Sequence, residues 1–326
     1  MADPQRDALK EDTPPSGHTA KRWPIGRLAA VLLIAIIFAA STVTYNVVAT
    51  FLAHRWDAAQ DRDPETGILA EAEPIDLGPE DADVAVLLVH GFIGSSTNFG
   101  ELPNALAAKG YRVRALLLPG HGTTPFELRG TSDSEMLQAV LDELDTLKAN
   151  HDRVFIVGHS MGSALSTLAA SKNGTDGLVI AAPYFQVTHQ WYYILSPETW
   201  TSLTGWAIKW LYKGDTFIRV NRKEAKDDIL SYRWVPTKAT VNADRIATQA
   251  RSPETLKNLT CPVLLMHSPD DFAASPKAAQ RAFEQIATEE KELLWLENSD
   301  HHLFFDYDRE QAIQATLDFI ARLANS

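Results

Sequence analysis

Cysteine is almost missing from this chain. Cys261 is the single one in 326 residues, which excludes an intramolecular disulfide and any zinc site built on paired cysteines. It stands before Pro262 at the head of an apolar run and reads as a buried structural thiol. Positive charge is scarce too. The 30 Lys and Arg residues face 42 Asp and Glu, a net charge of −12, so nucleic acid is not an expected partner. Charge of either sign vanishes from Leu28 to Ala53.

Those 26 uncharged positions would rise about 39 Å as a helix at about 1.5 Å per residue, enough to cross a hydrocarbon core of roughly 30 Å. Residues 1–24 are polar and carry Pro4, Pro14, Pro15, Gly17 and Pro24, a composition that favours disorder. The expectation is a cytoplasmic tail over 1–27, a single transmembrane anchor over 28–53 and an acidic linker over 54–82. In the linker, Ile68–Ala70 and Ile75–Leu77 are candidate edge strands. Lys21, Arg22 and Arg27 precede the span and only Arg55 closely follows it, which places the N-terminus inside and the remainder periplasmic or otherwise extracytoplasmic. The competing reading is a signal peptide cut near Ala39-Ala40-Ser41, giving a secreted protein. A buried soluble helix would show a polar face, and this stretch has none.

The rest is organised around Val154–Leu165. Val154-Phe155-Ile156-Val157 reads as a short buried strand, Gly158-His159-Ser160-Met161-Gly162 as a sharp turn, and Ser163–Ala170 as a helix behind it. This is a G-x-S-x-G elbow in a strand–turn–helix setting, which raises a serine hydroxyl clear of a sheet edge beside a helix N-terminus. Upstream, Val84–Val89 predicts a strand covered on both faces. His90-Gly91-Phe92 follows, where a second oxyanion donor belongs, so the N–H groups of Phe92 and Met161 form the expected oxyanion hole. His121, in Pro119-Gly120-His121-Gly122, precedes the serine and reads as a turn histidine. Further strands are expected over Arg112–Leu118, Gly177–Pro183, Cys261–His267 and Glu292–Leu296, with helices over Asn98–Lys109, Ser132–Asn150 and at the C-terminus to Leu323.

Residues 184 to about 258 break the strand–helix rhythm and hold five of the eight tryptophans. They read as an inserted helical cap whose aromatics, Trp191 and Trp206 among them, line an apolar pocket. Packing of the insert's own core and contact with a membrane surface are the other uses open to these rings. His90, Gly91 and His159 are the expected substrate contacts below. Past the late strand, Asp270 is the first candidate for the acid and Asp271 the second. Past the last strand, His301 is the first candidate for the base and His302 the second. The order Ser160, Asp270, His301 is that of an α/β-hydrolase.

His90-Gly91-Phe92, Pro119-Gly120-His121-Gly122, the Gly158–Gly162 elbow, Ser268-Pro269-Asp270-Asp271 and Ser299-Asp300-His301 resemble the monoacylglycerol lipase and carboxylesterase branch of the serine α/β-hydrolases. The likeness covers residues 83 to 326. It implies a mostly parallel sheet flanked by helices and hydrolysis of carboxylic esters with a lipid-like acyl or glyceride group. Ser160 would be the nucleophile, Asp270 the acid and His301 the base, with no cofactor or metal. His267 stands where the family often has Gly. A thioesterase or amidase of the same fold would look identical in sequence, and a hydrolase-fold binding protein is the alternative of another class.

Overall fold

The computed structural model describes residues 25–189, 194–214 and 218–325. It divides into two compact units, residues 1–44 and 45–326. The first is described only through helix α1 (Ile25–Asp57), which begins in it and continues into the second. Along α1 the side chains of Leu32, Ile34, Ile36 and Phe38 are exposed. No polar stripe offers them a water-facing alternative.

The second unit is built on a seven-stranded sheet in the order β1-β3-β2-β4-β5-β8-β9. Its strands are β1 (Ile75–Leu77), β2 (Val84–Val89), β3 (Arg112–Leu116), β4 (Arg153–His159), β5 (Gly177–Ala181), β8 (Val263–His267) and β9 (Lys291–Trp295). β1 is antiparallel to β3, and every other pair is parallel. The inner strands are apolar without interruption because both faces are covered. Leu87, Val89, Ile156, Leu178 and Leu265 face one core, while Val86, Leu88, Phe155, Val179 and Leu264 face the other. The first face is covered by α4 (Asp133–Asn150) and α5 (Met161–Asn173), the second by α2 (Leu102–Ala107) and α10 (Arg309–Ala324). α4 starts at a capping box in which Glu135 N–H donates to Ser132 Oγ at 3.2 Å and Ser132 N–H to Glu135 Oε2 at 2.7 Å.

Strand order reverses between β2 and β4. The loops leaving their C-terminal ends diverge there and open a crevice, the usual place for a site in such a sheet. Register fixes the depth: Val89 pairs with Gly158 and His159 with Ala181. His90-Gly91-Phe92 and Ser160 therefore emerge side by side.

The strands expected from sequence are present: Val84–Val89 keeps its bounds, β3, β5 and β8 are two residues shorter at one end, β4 extends beyond Val154–Val157 at both ends, and β9 is shifted one residue toward the N-terminus. Ile75–Leu77 forms β1, whereas around Ile68–Ala70 there is only an isolated bridge from Leu69 to Arg62. The helix expected from Asn98 is a 3-10 turn over Ser96–Phe99 followed by α2. The insert between β5 and β8 is not wholly helical. It holds α6 (Pro197–Thr204), an antiparallel hairpin of β6 (Trp210–Tyr212) and β7 (Trp234–Pro236), then α7 (Thr237–Ala250) and α8 (Pro253–Lys257). The remaining elements are α3 (Pro125–Gly130) and α9 (Pro276–Gln285).

The expected boundary between anchor and linker at residue 53 falls inside α1. From Tyr45 onward the helix belongs to the second unit. Ala49 and Ala53, one turn apart, are buried against Trp210 and Trp234, since small side chains let the indoles approach the helix. Tyr45 Oη donates to Trp210 O at 2.8 Å, and Asn46 Nδ2 to Ala207 O at 2.7 Å. In return Trp210 Nε1–H donates to Thr50 Oγ1 at 2.9 Å and Lys209 N–H to Asn46 Oδ1 at 2.9 Å. His54 stacks on Phe126 with ring centroids 3.9 Å apart. Three polar residues of the uncharged run, Tyr45, Asn46 and Thr50, thus bond to the cap.

A chain starting at Tyr45 is therefore expected to keep the melting temperature of the second unit, and one starting at Ala58 to lose stability. At about 1 kcal/mol per side-chain hydrogen bond, the four lost bonds alone correspond to roughly 8–16 °C for a domain of this size. Thermal unfolding of the two truncations in one buffer measures this, and equal midpoints would show that the contacts contribute nothing.

Candidate active site

β4 passes into α5 through Ser160, whose backbone sits at φ 57°, ψ −119°. That conformation costs a non-glycine residue on the order of 1–3 kcal/mol. It persists because the turn is packed too tightly to relax. A Cβ on Gly162 would lie 1.9 Å from Val89 O, and one on Gly158 2.5 Å from Ser163 Cα. Ser160 N–H donates to Ala181 O at 3.0 Å, which ties the elbow to β5.

His301 Nε2 lies 2.8 Å from Ser160 Oγ, and His301 Nδ1 lies 2.8 Å from Asp271 Oδ2. The structure thus brings together Ser160, His301 and the second-choice acid. Asp270, the first choice, is exposed, whereas Asp271 is 2% exposed. The turn decides between them. Asp271 N–H closes onto Ser268 O at 3.4 Å, and Asp270 N–H bonds Ser268 Oγ at 3.1 Å, so the earlier carboxylate points to water and the later one inward. Asp271 Oδ1 accepts from the N–H groups of Ala273 and Ala274 at 2.7 and 2.8 Å. Burial alone would raise its pKa, but the charge and hydrogen bond of His301, with His267 and the Ala274 N–H, hold it below the ordinary carboxylate value.

His301 rides on a loop clamped by two carboxylates that sequence reading passed over. Asp308 Oδ2 accepts from Asn298 N–H at 2.7 Å and from Ser299 Oγ at 3.0 Å. Asp306 Oδ2 accepts from Asp300 N–H at 2.8 Å and from Asn221 N–H at 2.7 Å. The motif D-x-D just past the histidine was the available signal.

Of the oxyanion candidates, one opens a helix and the other lines the cavity. Met161 opens α5, so its N–H has no helical partner four residues back. Phe92 and Gly91 line the same cavity as Ser160. The cavity measures about 420 Å³ and is walled by the β2–α2 loop below and by α6, α7 and the β6–β7 hairpin above.

Residues 80–308 match the family model described as serine aminopeptidase, S33. The chain belongs to that family. Within it the chain falls in the monoacylglycerol lipase- and esterase-like branch of the α/β-hydrolases. It is 29% identical over 259 residues to a thermostable monoacylglycerol lipase of Bacillus sp. (strain H-257), covering 79% of this chain and 97% of the relative. It is 26% identical over 235 residues to mouse monoglyceride lipase, covering 67% and 75%. Among solved structures, one from work on the metagenome-derived lipolytic enzymes LipS and LipT superposes with a TM-score of 0.70 at 28% identity, covering 78% and 99%. The monoacylglycerol lipase of Paleococcus ferrophilus superposes at 0.66 and 22% identity, covering 78% and 100%, a likeness of fold.

In this S33-family chain the expected substrate contacts divide. Gly91 and His159 line the cavity, and His90 does not. His90 is fully buried, its Nδ1 2.8 Å from Gly91 O and its Nε2 accepting the Leu118 N–H at 3.0 Å. It braces the oxyanion loop from behind. Trp206 is a correction: it is 81% exposed, its Nε1–H bonds Leu203 O at 2.8 Å, and it takes no part in the cavity wall. Trp191 lies outside the described residues. His121 is the turn histidine expected, with Nδ1 3.1 Å from Pro119 O. Cys261 is buried as expected, and burial pushes its thiol up to about 11.

The lining is more charged than its composition suggested. Tyr184, Glu198, Asp244, Lys213 and Arg219 all line it. Burial, then the neighbouring Glu198 and Asp244 carboxylates, pushes Tyr184 above the usual phenol range. Burial and the Arg219 charge lower Lys213 to about 8. Among the described residues, no group of three His, Cys, Asp or Glu is placed to hold a metal ion.

Replacing Asp271 by Asn leaves the shape but lets His301 lose its tautomer, and kcat is expected to fall by roughly 10⁴-fold. Asp270→Asn is expected to change it less than about twofold, as an exposed side chain remote from the ring. Steady-state ester hydrolysis by the two variants decides the assignment, and the opposite ranking would return it to Asp270.

Proposed function

We propose that this chain is a membrane-anchored serine hydrolase that cleaves carboxylic esters with lipid-like acyl groups, monoacylglycerols among them. The observation that carries the reading is the Asp271–His301–Ser160 relay, with 2.8 Å at each joint, at the floor of a largely apolar cavity. Two relatives matched over nearly their whole length carry monoacylglycerol lipase and carboxylesterase names, which supports the same class.

Each step follows from position. His301 Nε2 takes the Ser160 proton as Oγ bonds to the ester carbonyl carbon. The oxyanion is held by the Phe92 and Met161 N–H groups, each worth about 2.7–4 kcal/mol in such sites. The carbon–oxygen bond to the alcohol then breaks, and His301 delivers its proton to the leaving oxygen. Water repeats the sequence and frees the acid. Asp271 holds the ring in the tautomer with hydrogen on Nδ1 and stabilises the transient imidazolium. The same groups could cleave a thioester or amide, and leaving-group chemistry separates these readings.

The anchor belongs to this proposal. The helix from Gly26 to Asp57 is long and apolar enough to cross a membrane. After Tyr45 it is occupied with the catalytic unit. Leu28 to Thr44 leaves 17 residues, about 25 Å of helix, at the short end of what a span needs. Tyr45 then falls at the interfacial level that tyrosine favours. The basic residues before the span orient the N-terminus inward.

Turnover of p-nitrophenyl esters from acetate to palmitate, and of 1-monoacylglycerols, is expected in the full chain in detergent, with an optimum above acetate. Ser160→Ala is expected to abolish both turnover and labelling by a fluorophosphonate. A wild type that neither turns over nor labels would favour a binding scaffold. A thioester cleaved far faster than its oxygen ester would favour a thioesterase.

A further inference from the structure

Part of the apolar cavity wall hangs on the β6–β7 hairpin. Leu211 and Val235, paired directly across it, line the cavity. So do Ile218 and Leu230, in the loop that joins the two strands. Side chains alternate along a strand, so Trp210 and Trp234, the chain neighbours of Leu211 and Val235, turn to the opposite face. There they close on Ala49 and Ala53 of α1. A single layer of backbone thus separates the apolar lining of the cavity from the helix.

That layer has little stiffness of its own. Each strand of the hairpin is three residues long, and the pair forms a sheet separate from the large one. Such a unit is marginal in water unless something packs on it. α1 backs it at three points. Trp210, fully buried, donates its Nε1–H to Thr50 Oγ1 at 2.9 Å. His54 stacks on Phe126 at 3.9 Å, and the Phe126 ring in turn meets Trp210 edge-on at 4.9 Å. Trp56 meets Tyr232 edge-on, with centroids 5.9 Å apart, and the Tyr232 hydroxyl accepts the Thr123 N–H at 2.8 Å. Tyr232 lies midway between Leu230 and Trp234 in the chain, so this last contact fixes the strand's approach to the cavity. Ala49 and Ala53 are buried, and a close-packed contact leaves no room for a larger side chain at either position.

Ser160, Asp271 and His301 stand on loops at the ends of β4, β8 and β9 of the large sheet. A shift of the hairpin therefore moves the apolar wall against a fixed reacting centre. We propose that the Tyr45–Asp57 segment of α1 governs acyl-chain selectivity. Ala49, Thr50 and Ala53 are positioning residues: through Trp210 and Trp234 they set how far Leu211 and Val235 stand from the path of the acyl chain, and they touch no substrate themselves. The inference rests on the ester-hydrolase reading and adds to it a determinant of specificity that lies outside both the sheet and the inserted cap. A long acyl chain runs along the whole apolar wall. An acetyl group needs only Ser160 and the oxyanion donors, so the two respond differently to a displaced hairpin.

The test measures p-nitrophenyl acetate and p-nitrophenyl laurate hydrolysis by the full chain in neutral detergent and reads the ratio of laurate to acetate kcat/KM. Ala49→Leu forces a branched side chain into the contact with the indoles and is expected to lower the ratio roughly tenfold, the scale of an overpacked contact. Thr50→Val keeps the volume, removes the acceptor of the Trp210 N–H, and is expected to lower it about three- to tenfold. In both variants the loss falls on KM for laurate, while acetate turnover and the rate of labelling by a small fluorophosphonate change less than about twofold. Val47→Leu, on the exposed side of the helix, is expected to leave the ratio as it is. Thr50→Val and Trp210→Phe remove the same hydrogen bond, so together they are expected to cost less than the product of their separate effects. A ratio unmoved in both Ala49→Leu and Thr50→Val, with normal labelling, overturns the inference and leaves the esterase reading intact. So does an equal loss on both esters accompanied by loss of labelling, which would make the contact a matter of folding alone. A wild type that cleaves neither ester and does not label overturns the esterase reading and this inference with it.

Discussion

The contact on which the rest depends is the one between the elbow and the end of β2. Gly162 has no side chain because Val89 O and His90 O occupy its place, at 1.9 and 2.5 Å from where a Cβ would be. That closeness brings the start of α5 against the strand that carries Gly91 and Phe92. The loop after β2 and the first turn of α5 are held together, and Ser160 is forced into its strained backbone angles. The sheet supplies the restraint. β4 lies between β2 and β5, paired on both edges, so the elbow cannot swing to either side.

The acid and base reach the serine by a different route. Their loops leave β8 and β9, and neither is held by so tight a steric fit. Hydrogen bonds to carboxylates do that work, through Asp306 and Asp308 on the histidine loop and through Asp271 on its own turn. Ser268 Oγ donates to Ser299 O, linking the acid loop directly to the base loop. His267, where the family often has glycine, joins them: its Nδ1 is 3.8 Å from Asp271 Oδ2, and its ring is 6.1 Å from that of Trp295. The nucleophile is thus placed by packing and its partners by polar networks. A methyl group added at the elbow and a carboxylate removed from the loops would damage the site in different ways.

This difference explains what the sequence made legible. Strands β2, β4, β5 and β8 and the elbow announce themselves through runs of neighbouring residues, and their chemistry is local. The choice between Asp270 and Asp271 is not local, since it turns on which of two adjacent carboxylates a three-residue turn aims inward. The cap was legible only in part for a related reason. Aromatic content was readable, but partners were not. Trp210 and Trp234 are engaged with Ala49 and Ala53, Trp206 lies on the surface, and the cavity wall takes Tyr184 and Tyr212 together with Lys213, Arg219, Glu198 and Asp244. Asn46 and Thr50, polar residues inside an uncharged run, are hydrogen-bond partners of the cap. A hydropathy profile cannot distinguish a polar residue tolerated in a span from one placed to dock.

Five buried or half-buried histidines surround the working one, and their neutrality is part of the site. Burial, with the charge of His301, lowers His159 to about 3, and burial lowers His121 to about 4. Burial also drives His90 and His302 well below the ordinary imidazole value, the latter aided by the charges of His159, His301 and Lys213. Burial lowers His267 as well, against the pull of Asp271. A proton on any of these rings would oppose the imidazolium that His301 must become. Keeping them neutral leaves Asp271 as the charge in direct contact with the ring, and its sign is the stabilising one. His159 shows how neutrality is turned to use: its Nε2–H donates to His301 O at 3.0 Å, so an uncharged ring fixes the backbone of the base without competing for its proton.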